Sequence, residues 1–224
     1  RRSCRAASHR HRNMTARRLI ACRKGASAAE FAIVLPLLLA LIFGIIDGGR
    51  FLWEMNRAQK ATQYGARFAA VTNLVPAGLA SYSFATDSEV PAVSPGAVVP
   101  RTSFTSVSCT SAGCAVGDPA DDCKIGETPI GPSPGFDSAA LEHIARRMRM
   151  IYPVIQDSNV RVTYCNVGLG FAGDPYGPDV SPQIIVSLTG LDFVPVTSLL
   201  LATIRLPASS GSMTLEDGIG NVSN

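Results

Sequence analysis

An uncharged run of sixteen residues, Phe31 to Ile46, constrains what this chain can fold into more than any other feature. The apolar core of a bilayer is about 30 Å thick, and about 20 helical residues cross it. Small residues on both sides, 26–29 and 48–49, extend the run to that length and place Glu30 and Asp47 near its edges. The sequence therefore predicts one membrane-spanning helix.

Charge is distributed unevenly about this run. Residues 1–24 carry nine Lys or Arg and no acidic residue, whereas the whole chain is +3, so the remainder carries −6. A basic flank stays on the cytoplasmic side, which predicts a single-pass membrane protein with its N-terminus in the cytoplasm and its C-terminal domain outside it. Nucleic acid is the alternative partner, but no aromatic or recognition element accompanies the basic segment, so we expect no nucleic-acid binding.

A cleaved secretory signal peptide would share the basic head and the apolar run. It should also show a small-residue cleavage site followed by a change of structure. Instead, apolar or small residues continue at helical spacing beyond the run: Leu52, Met55, Ala58, Thr62, Ala66 and Ala69. The pattern predicts one helix over residues 26–72, which leaves the membrane and continues into the outer compartment.

Small or narrow residues recur at every fourth position of the spanning segment: Ala28, Ala32, Pro36, Ala40, Gly44 and Gly48. This spacing lets helix backbones approach closely, and Gly44 to Gly48 forms a G-x-x-x-G motif. Ala and Gly are also frequent in membrane helices that make no such contact, but six positions in register favour helix–helix packing. Pro36 removes one backbone hydrogen bond, which predicts a kink.

The start of the chain carries a separate expectation. The first methionine is Met14, so we expect residues 1–13 to be an untranslated upstream extension. The basic cytoplasmic leader spans residues 1–25 as numbered, and only residues 14–25 of it would then be translated.

Four cysteines follow the apolar run: Cys109, Cys114, Cys123 and Cys165. An even number in an oxidising compartment predicts two disulfides. Three pairings are possible, and the sequence does not choose among them. Zinc is the alternative, but the chain has no C-x-x-C pair or Cys/His cluster, so we expect disulfides and no metal.

The first part of the exported region, residues 73–136, is rich in Pro, Gly, Ser and Ala. Residues 102–109 form its one candidate strand. Long connections of this kind are uncommon inside compact domains, so we expect an elaborated surface loop.

The second part, residues 137–224, is predicted to be ordered. Asp137 can cap a helix that ends near residue 151. Alternating residues predict strands at 160–165, 183–191 and 210–216, while 200–206 suits either a helix or a strand. The predicted fold class is α+β, with the long helix laid against a small antiparallel sheet.

Three patterns suggest a dinucleotide site, a calcium site or a catalytic site, but the residues around them do not support these functions. Gly168 to Gly173 reads G-x-G-x-x-G, but turn residues follow it where a dinucleotide site needs a helix. Asp118, Asp121 and Asp122 lack the spacing of a calcium loop. His143 has no nucleophile at a suitable spacing. We therefore predict no catalytic residue, no cofactor and no enzyme activity.

The stretch from Arg23 to Phe31, RKGASAAEF, resembles a type IV prepilin processing site. The resemblance implies cleavage after Gly25 on the cytoplasmic side by a prepilin peptidase. Ala26 would become the new N-terminus, followed by the pilin-type acidic residue Glu30 and by Phe31. Unlike signal-peptide cleavage, this cut would leave the anchor in place.

A longer segment, about residues 17–70, resembles the TadE-like family of the tight-adherence (Tad) pilus assembly system. The resemblance is carried by GASAAEFAIVLPLLL at 25–39, FGIIDGGR at 43–50 and YGAR at 64–67. It implies a pilin-like fold and a pseudopilin that takes part in assembling Tad/Flp-type adhesive pili. It also implies a location in a bacterial inner membrane, with the C-terminal domain periplasmic or extracellular. The implied partners are membrane lipid, the prepilin peptidase, other pilin-like subunits and Tad secretion components.

Several alternatives stay open at this point. Glu30 can pair with the Ala26 ammonium of a neighbouring subunit, or it can simply favour a helix N-terminus. The protein can also be a membrane-tethered adhesion or binding module that uses residues 75–135. The third alternative is a membrane-anchored hydrolase, whose activity would depend on His143 or an acidic residue.

Overall fold

The computed structural model describes residues 23–86, 93–104, 106–117, 123, 135–174, 178–198 and 202–216. Most of the predicted leader, residues 1–22, lies outside the described residues. The same holds for Asp118, Asp121 and Asp122, and for the side chains of residues 23–27.

The described residues form three α-helices, one short 3-10 helix at Asp157–Asn159 and seven β-strands. The helices are α1 at Arg23–Ala69, α2 at Ala77–Ala80 and α3 at Ser138–Arg149. The strands are β1 at Ser106–Thr110, β2 at Gly113–Val116, β3 at Val160–Cys165, β4 at Gln183–Leu188, β5 at Asp192–Phe193, β6 at Ile204–Arg205 and β7 at Ser209–Thr214.

The chain divides into two compact units. The first unit comprises the described residues up to 50 and those between 195 and 202, and contains the apolar part of α1. The second unit comprises the described residues between 51 and 194 and from 203 onwards, and contains the sheet.

Helix α1 confirms the predicted long helix. Its 47 residues correspond to a length of about 70 Å. Within it lies a stretch long and apolar enough to cross a membrane, and every side chain from Ala28 to Ile46 is exposed. Pro36 lies inside the helix without ending it, and the kink stays a prediction.

A five-stranded antiparallel sheet, in the order β2-β1-β3-β4-β7, forms the centre of the second unit. β3 is its middle strand and pairs with β4 from Val160 opposite Leu188 to Cys165 opposite Gln183. β3 has the bounds that its alternation predicts, whereas β4 ends three residues earlier than predicted. The predicted α+β class with an antiparallel sheet is confirmed. Part of the ambiguous 200–206 segment is β6, which pairs with β5.

Two glycines let α1 pack closely in the second unit. A Cβ on Gly65 would lie 2.8 Å from the side chain of Met148 and 3.3 Å from that of Val186. A Cβ on Gly211 in β7 would lie 2.8 Å from the carbonyl group of Thr62. The alanines Ala58, Ala61, Ala66 and Ala69 are buried along the same helix. Small residues therefore set the distance between α1 and the sheet.

Helix α3 starts where the sequence predicts it. Asp137 is its N-cap, and the carboxylate accepts hydrogen bonds from the N–H groups of Ala139 at 2.9 Å and Ala140 at 3.1 Å. These bonds satisfy backbone donors that the first turn of a helix leaves unpaired. The apolar face of the helix is buried, at Leu141, Ile144, Ala145 and Met148.

Residues 73–136 are more ordered than the sequence indicates, because α2, β1 and β2 lie there. Leu79, Phe84, Val99 and Phe104 are at most 1% exposed. Asp179 accepts a hydrogen bond from the Phe84 N–H at 2.7 Å, which fixes the backbone beside these side chains. The described parts of this region thus depart from the expectation of a surface loop. Their apolar residues occur in runs of one to three among Pro, Gly and Ser, so no periodicity marks them as core.

The close approach at Gly211 gives a stability prediction. We expect Gly211→Ala to lower the free energy of unfolding by about 1–3 kcal/mol, because the added methyl meets helix backbone that cannot rotate away. Urea unfolding in detergent, followed by circular dichroism, measures the change. The control is Ser212→Ala, at the neighbouring exposed position of β7, which should change stability by less than about 0.5 kcal/mol. Equal stability of the two variants would contradict the packing described here.

Candidate functional site: the apolar helix and its ends

The predicted processing stretch lies at the start of α1. The helix begins at Arg23, so the bond between Gly25 and Ala26 lies within its first turn. Glu30 and Phe31 are exposed, Phe31 to 64%. The described side chains of this stretch are therefore accessible to other molecules.

The residues Ala28, Ala32, Pro36, Ala40, Gly44 and Gly48, which we call the small-residue stripe, are all exposed. A Cβ added to Gly44 or Gly48 would meet nothing within 4 Å. Because an α-helix has 3.6 residues per turn, each four-residue step advances about 40° around the axis. The stripe therefore winds around the helix instead of following one straight face. Rows of this spacing suit right-handed crossings at about −40°.

Asp47, at the C-terminal end of the apolar run, holds a turn formed by residues 195–198. Its carboxylate accepts hydrogen bonds from the Val196 N–H at 2.6 Å, the Thr197 N–H at 3.0 Å and the Thr197 hydroxyl at 2.7 Å. The Ser198 N–H closes the turn by donating to the Pro195 carbonyl at 3.1 Å. Asp47 is only 6% exposed, so the carboxylate is satisfied mainly by these protein donors.

The sequence places Asp47 at the membrane edge but does not reveal this contact. Its partners lie 149 and 150 positions further along the chain, and no local pattern links residues so far apart. The available signal is an acidic residue directly after an uncharged run, which needs donors from elsewhere if it is buried.

The part of α1 that follows is joined to the end of α3. Arg57 donates two hydrogen bonds to the Ile151 carbonyl, at 2.9 and 3.2 Å, and its guanidinium lies 5.3 Å from the centre of the Tyr152 ring. The Tyr152 hydroxyl donates to Glu54 at 3.2 Å. Burial, together with the negative charge of Glu54, raises the pKa of Tyr152, so this phenol stays protonated at neutral pH.

The four candidate cysteines form two disulfides, which selects one of the three possible pairings. Cys109 pairs with Cys114, and the two lie opposite each other in the β1–β2 hairpin. Cys123 pairs with Cys165 at the end of β3. The second bridge closes a much longer segment, with a sequence separation of 42 against 5.

Of the other patterns noted in the sequence, those that fall on described residues are not brought together into a site. Gly168, Gly170 and Gly173 all have positive φ angles, and the described residues between Gly173 and β4 form no helix that could receive a phosphate. His143 is half-buried on α3. Within the described ranges, no three His, Cys, Asp or Glu residues are grouped so as to hold a metal ion.

These observations define a protein with one N-terminal helix able to span a membrane, followed by an antiparallel α+β domain. Residues 25–67 match the model of a family described as TadE-like protein. The match confirms the resemblance seen in the sequence and indicates a role associated with the Tad pilus. It covers the small-residue stripe, Asp47 and Gly65. No curated protein and no solved structure matches the chain.

The two disulfides are expected to differ in their contribution to stability. Replacing both Cys123 and Cys165 by alanine should lower the free energy of unfolding by about 4 kcal/mol, because that disulfide restricts the longer loop of the unfolded chain. The matched control, alanine at both Cys109 and Cys114, should cost about 2 kcal/mol by the same relation. Urea unfolding of both double variants in detergent compares them. A larger loss from the hairpin pair would contradict this pairing.

Proposed function

We propose that this chain is a TadE-like pseudopilin that takes part in the assembly of Tad/Flp-type adhesive pili. Helix α1 anchors it in the inner membrane with its N-terminus in the cytoplasm, and a prepilin peptidase removes the leader after Gly25. Its role is structural and involves no catalytic step. The observation that carries the proposal is an apolar helical segment, Ala28 to Ile46, in which every side chain is exposed, next to a processing-type sequence and inside the segment that matches the family.

The exposed apolar surface supports anchoring. Leu37, Leu41 and Ile45 are 75%, 63% and 68% exposed. Covering one such side chain is favourable by about 1.5–3 kcal/mol, so the helix requires lipid or other helices around it. The basic residues that precede the run, which include Arg17, Arg18, Arg23 and Lys24 when the chain starts at Met14, orient the helix with its N-terminus inside.

Processing and assembly are linked through Glu30. A charged side chain costs about 2.5–3.5 kcal/mol at the centre of a bilayer and less towards its edge, so an exposed Glu30 gains from a nearby cation. Removal of the leader creates an ammonium group on Ala26. A neighbouring α1 helix, packed side by side, presents this group to Glu30, whereas an uncut chain has no charge at that atom.

The small-residue stripe supplies the surface for such packing. Side chains on the apolar part of α1 are exposed, and the open space over Gly44 and Gly48 admits another helix. Close backbone approach strengthens van der Waals packing, which drives helix association where lipid tails remove the hydrophobic driving force. Other pilin-like subunits and Tad secretion components are the proposed partners.

Processing is tested by changing the residue before the cut. In cells that also produce a prepilin peptidase, Gly25→Leu should leave the leader attached, because sites of the type that this stretch resembles are cut after a glycine. Intact-mass spectrometry of the membrane fraction distinguishes the cut from the uncut chain. The control Gly49→Leu, beyond the apolar run, should be processed normally. Cleavage of Gly25→Leu at the bond used in the wild type would contradict the proposal.

Packing is tested by filling the stripe. Gly44→Leu and Gly48→Leu should abolish co-purification with other pilin-like subunits and pilus formation, because the added side chains hold the helices apart. Gly49→Leu is again the matched control. Gly49 is also exposed with nothing within 4 Å of an added Cβ, but it lies about 100° around the helix from Gly48. If all three variants assemble pili normally, the stripe is not the packing surface.

One observation favours the second candidate, a membrane-tethered binding module outside a pilus. Val98, Leu169 and Phe171 are 53%, 50% and 58% exposed, and Val98 pairs directly with Phe171. Exposed apolar residues that lie together often mark interaction surfaces. A chain that is never processed after Gly25 and never co-purifies with pilus components would favour this function over the pseudopilin.

A further inference from the structure

The turn at residues 195–198, which we call the Asp47 turn, is fixed at the level where the apolar run ends. Asp47 directly follows Ile46, the last residue of the run. Three hydrogen bonds of 2.6, 2.7 and 3.0 Å join its carboxylate to Val196 and Thr197. With α1 in a membrane, the turn therefore lies at the lipid surface.

The Asp47 turn has the properties of a segment that can enter this surface. Backbone polar groups must be paired before they leave water, and the N–H groups of Val196, Thr197 and Ser198 are all hydrogen-bonded. The side chain of Val196 is 55% exposed although its N–H is paired. The turn thus presents an exposed apolar side chain while its three backbone N–H donors are all paired within the protein.

We propose that the Asp47 turn is a second lipid contact of the protein. The turn lies in the membrane interface between headgroups and acyl chains, where Val196 contacts lipid. The hydrogen bonds to Asp47 fix the depth of the turn in the membrane. The inference rests on the proposed anchoring of α1 and extends it from one spanning helix to two points of contact. Interfacial anchors fix the rotation of a membrane helix, so this contact determines the direction in which Gly44 and Gly48 face.

The chain has one tryptophan, Trp53, which makes depth measurable by fluorescence. In a Trp53→Phe background, single tryptophans are introduced as Val196→Trp, Leu41→Trp and Val98→Trp, all at exposed positions. The full chain is reconstituted into phosphatidylcholine vesicles that carry bromine either near the headgroups or deep in the acyl chains. Leu41→Trp reports on the apolar run, and Val98→Trp is the reference in the second unit.

We expect Val196→Trp to be quenched most by the shallow bromine and to emit at shorter wavelength than Val98→Trp, which should show no quenching. Leu41→Trp should be quenched by bromine within the acyl region. If Leu41→Trp is quenched while Val196→Trp behaves like Val98→Trp, the inference is overturned and the anchoring stands. If Leu41→Trp is not quenched either, the anchoring itself fails.

The role of Asp47 is tested in the Val196→Trp protein. Asp47→Ala removes all three hydrogen bonds and should reduce quenching by the shallow bromine, with a shift of emission to longer wavelength. Ser198→Ala, in the same turn, keeps the backbone bond to Pro195 and should leave both signals unchanged. The same Asp47→Ala change in the Leu41→Trp protein checks that α1 is still inserted. Unchanged quenching of Val196→Trp after Asp47→Ala would show that Asp47 does not set the depth.

Discussion

The exposure of the apolar part of α1 is the constraint on which the rest of this structure depends. From Ala28 to Ile46 every side chain is exposed, and an apolar surface of this extent has to be covered by lipid or by other helices. One carboxylate lies at each edge of the run. Glu30 is exposed, whereas Asp47 is buried against donors from the C-terminal part of the chain. The N-terminal edge is therefore open to external partners, and the C-terminal edge is closed by the protein itself.

Small residues serve two different purposes along the same helix. Above Gly65 the space is filled by Met148, so this glycine brings α1 onto its own domain. Above Gly44 and Gly48 the space is empty, so these glycines are available to another helix. The family match covers both regions and ends at residue 67, after α1 has made its contact with the sheet. The matched segment thus contains one surface that packs on the protein's own domain and another, exposed, that we propose for assembly.

The sequence is informative where the physical cause of structure is local. The alternation in Val160–Cys165 gives the bounds of β3, and Asp137 marks the start of α3 because a cap acts within one turn. Distant contacts leave no such signal. Phe84 enters the core from a turn, the bonds to Asp47 come from residues about 150 positions away, and four cysteines allow three pairings. For the candidate site, the apolar run is therefore readable from the sequence and the Asp47 turn is not, while the processing stretch stays a prediction.

Retention of α1 in the membrane after loss of the leader is tested most directly by the intact mass of the protein from carbonate-washed membranes. The cells must produce a prepilin peptidase, and the soluble fraction is analysed in parallel. We predict a membrane-bound chain that begins at Ala26 and keeps the whole apolar run. A soluble folded product from which residues 26–50 have been removed would contradict the account.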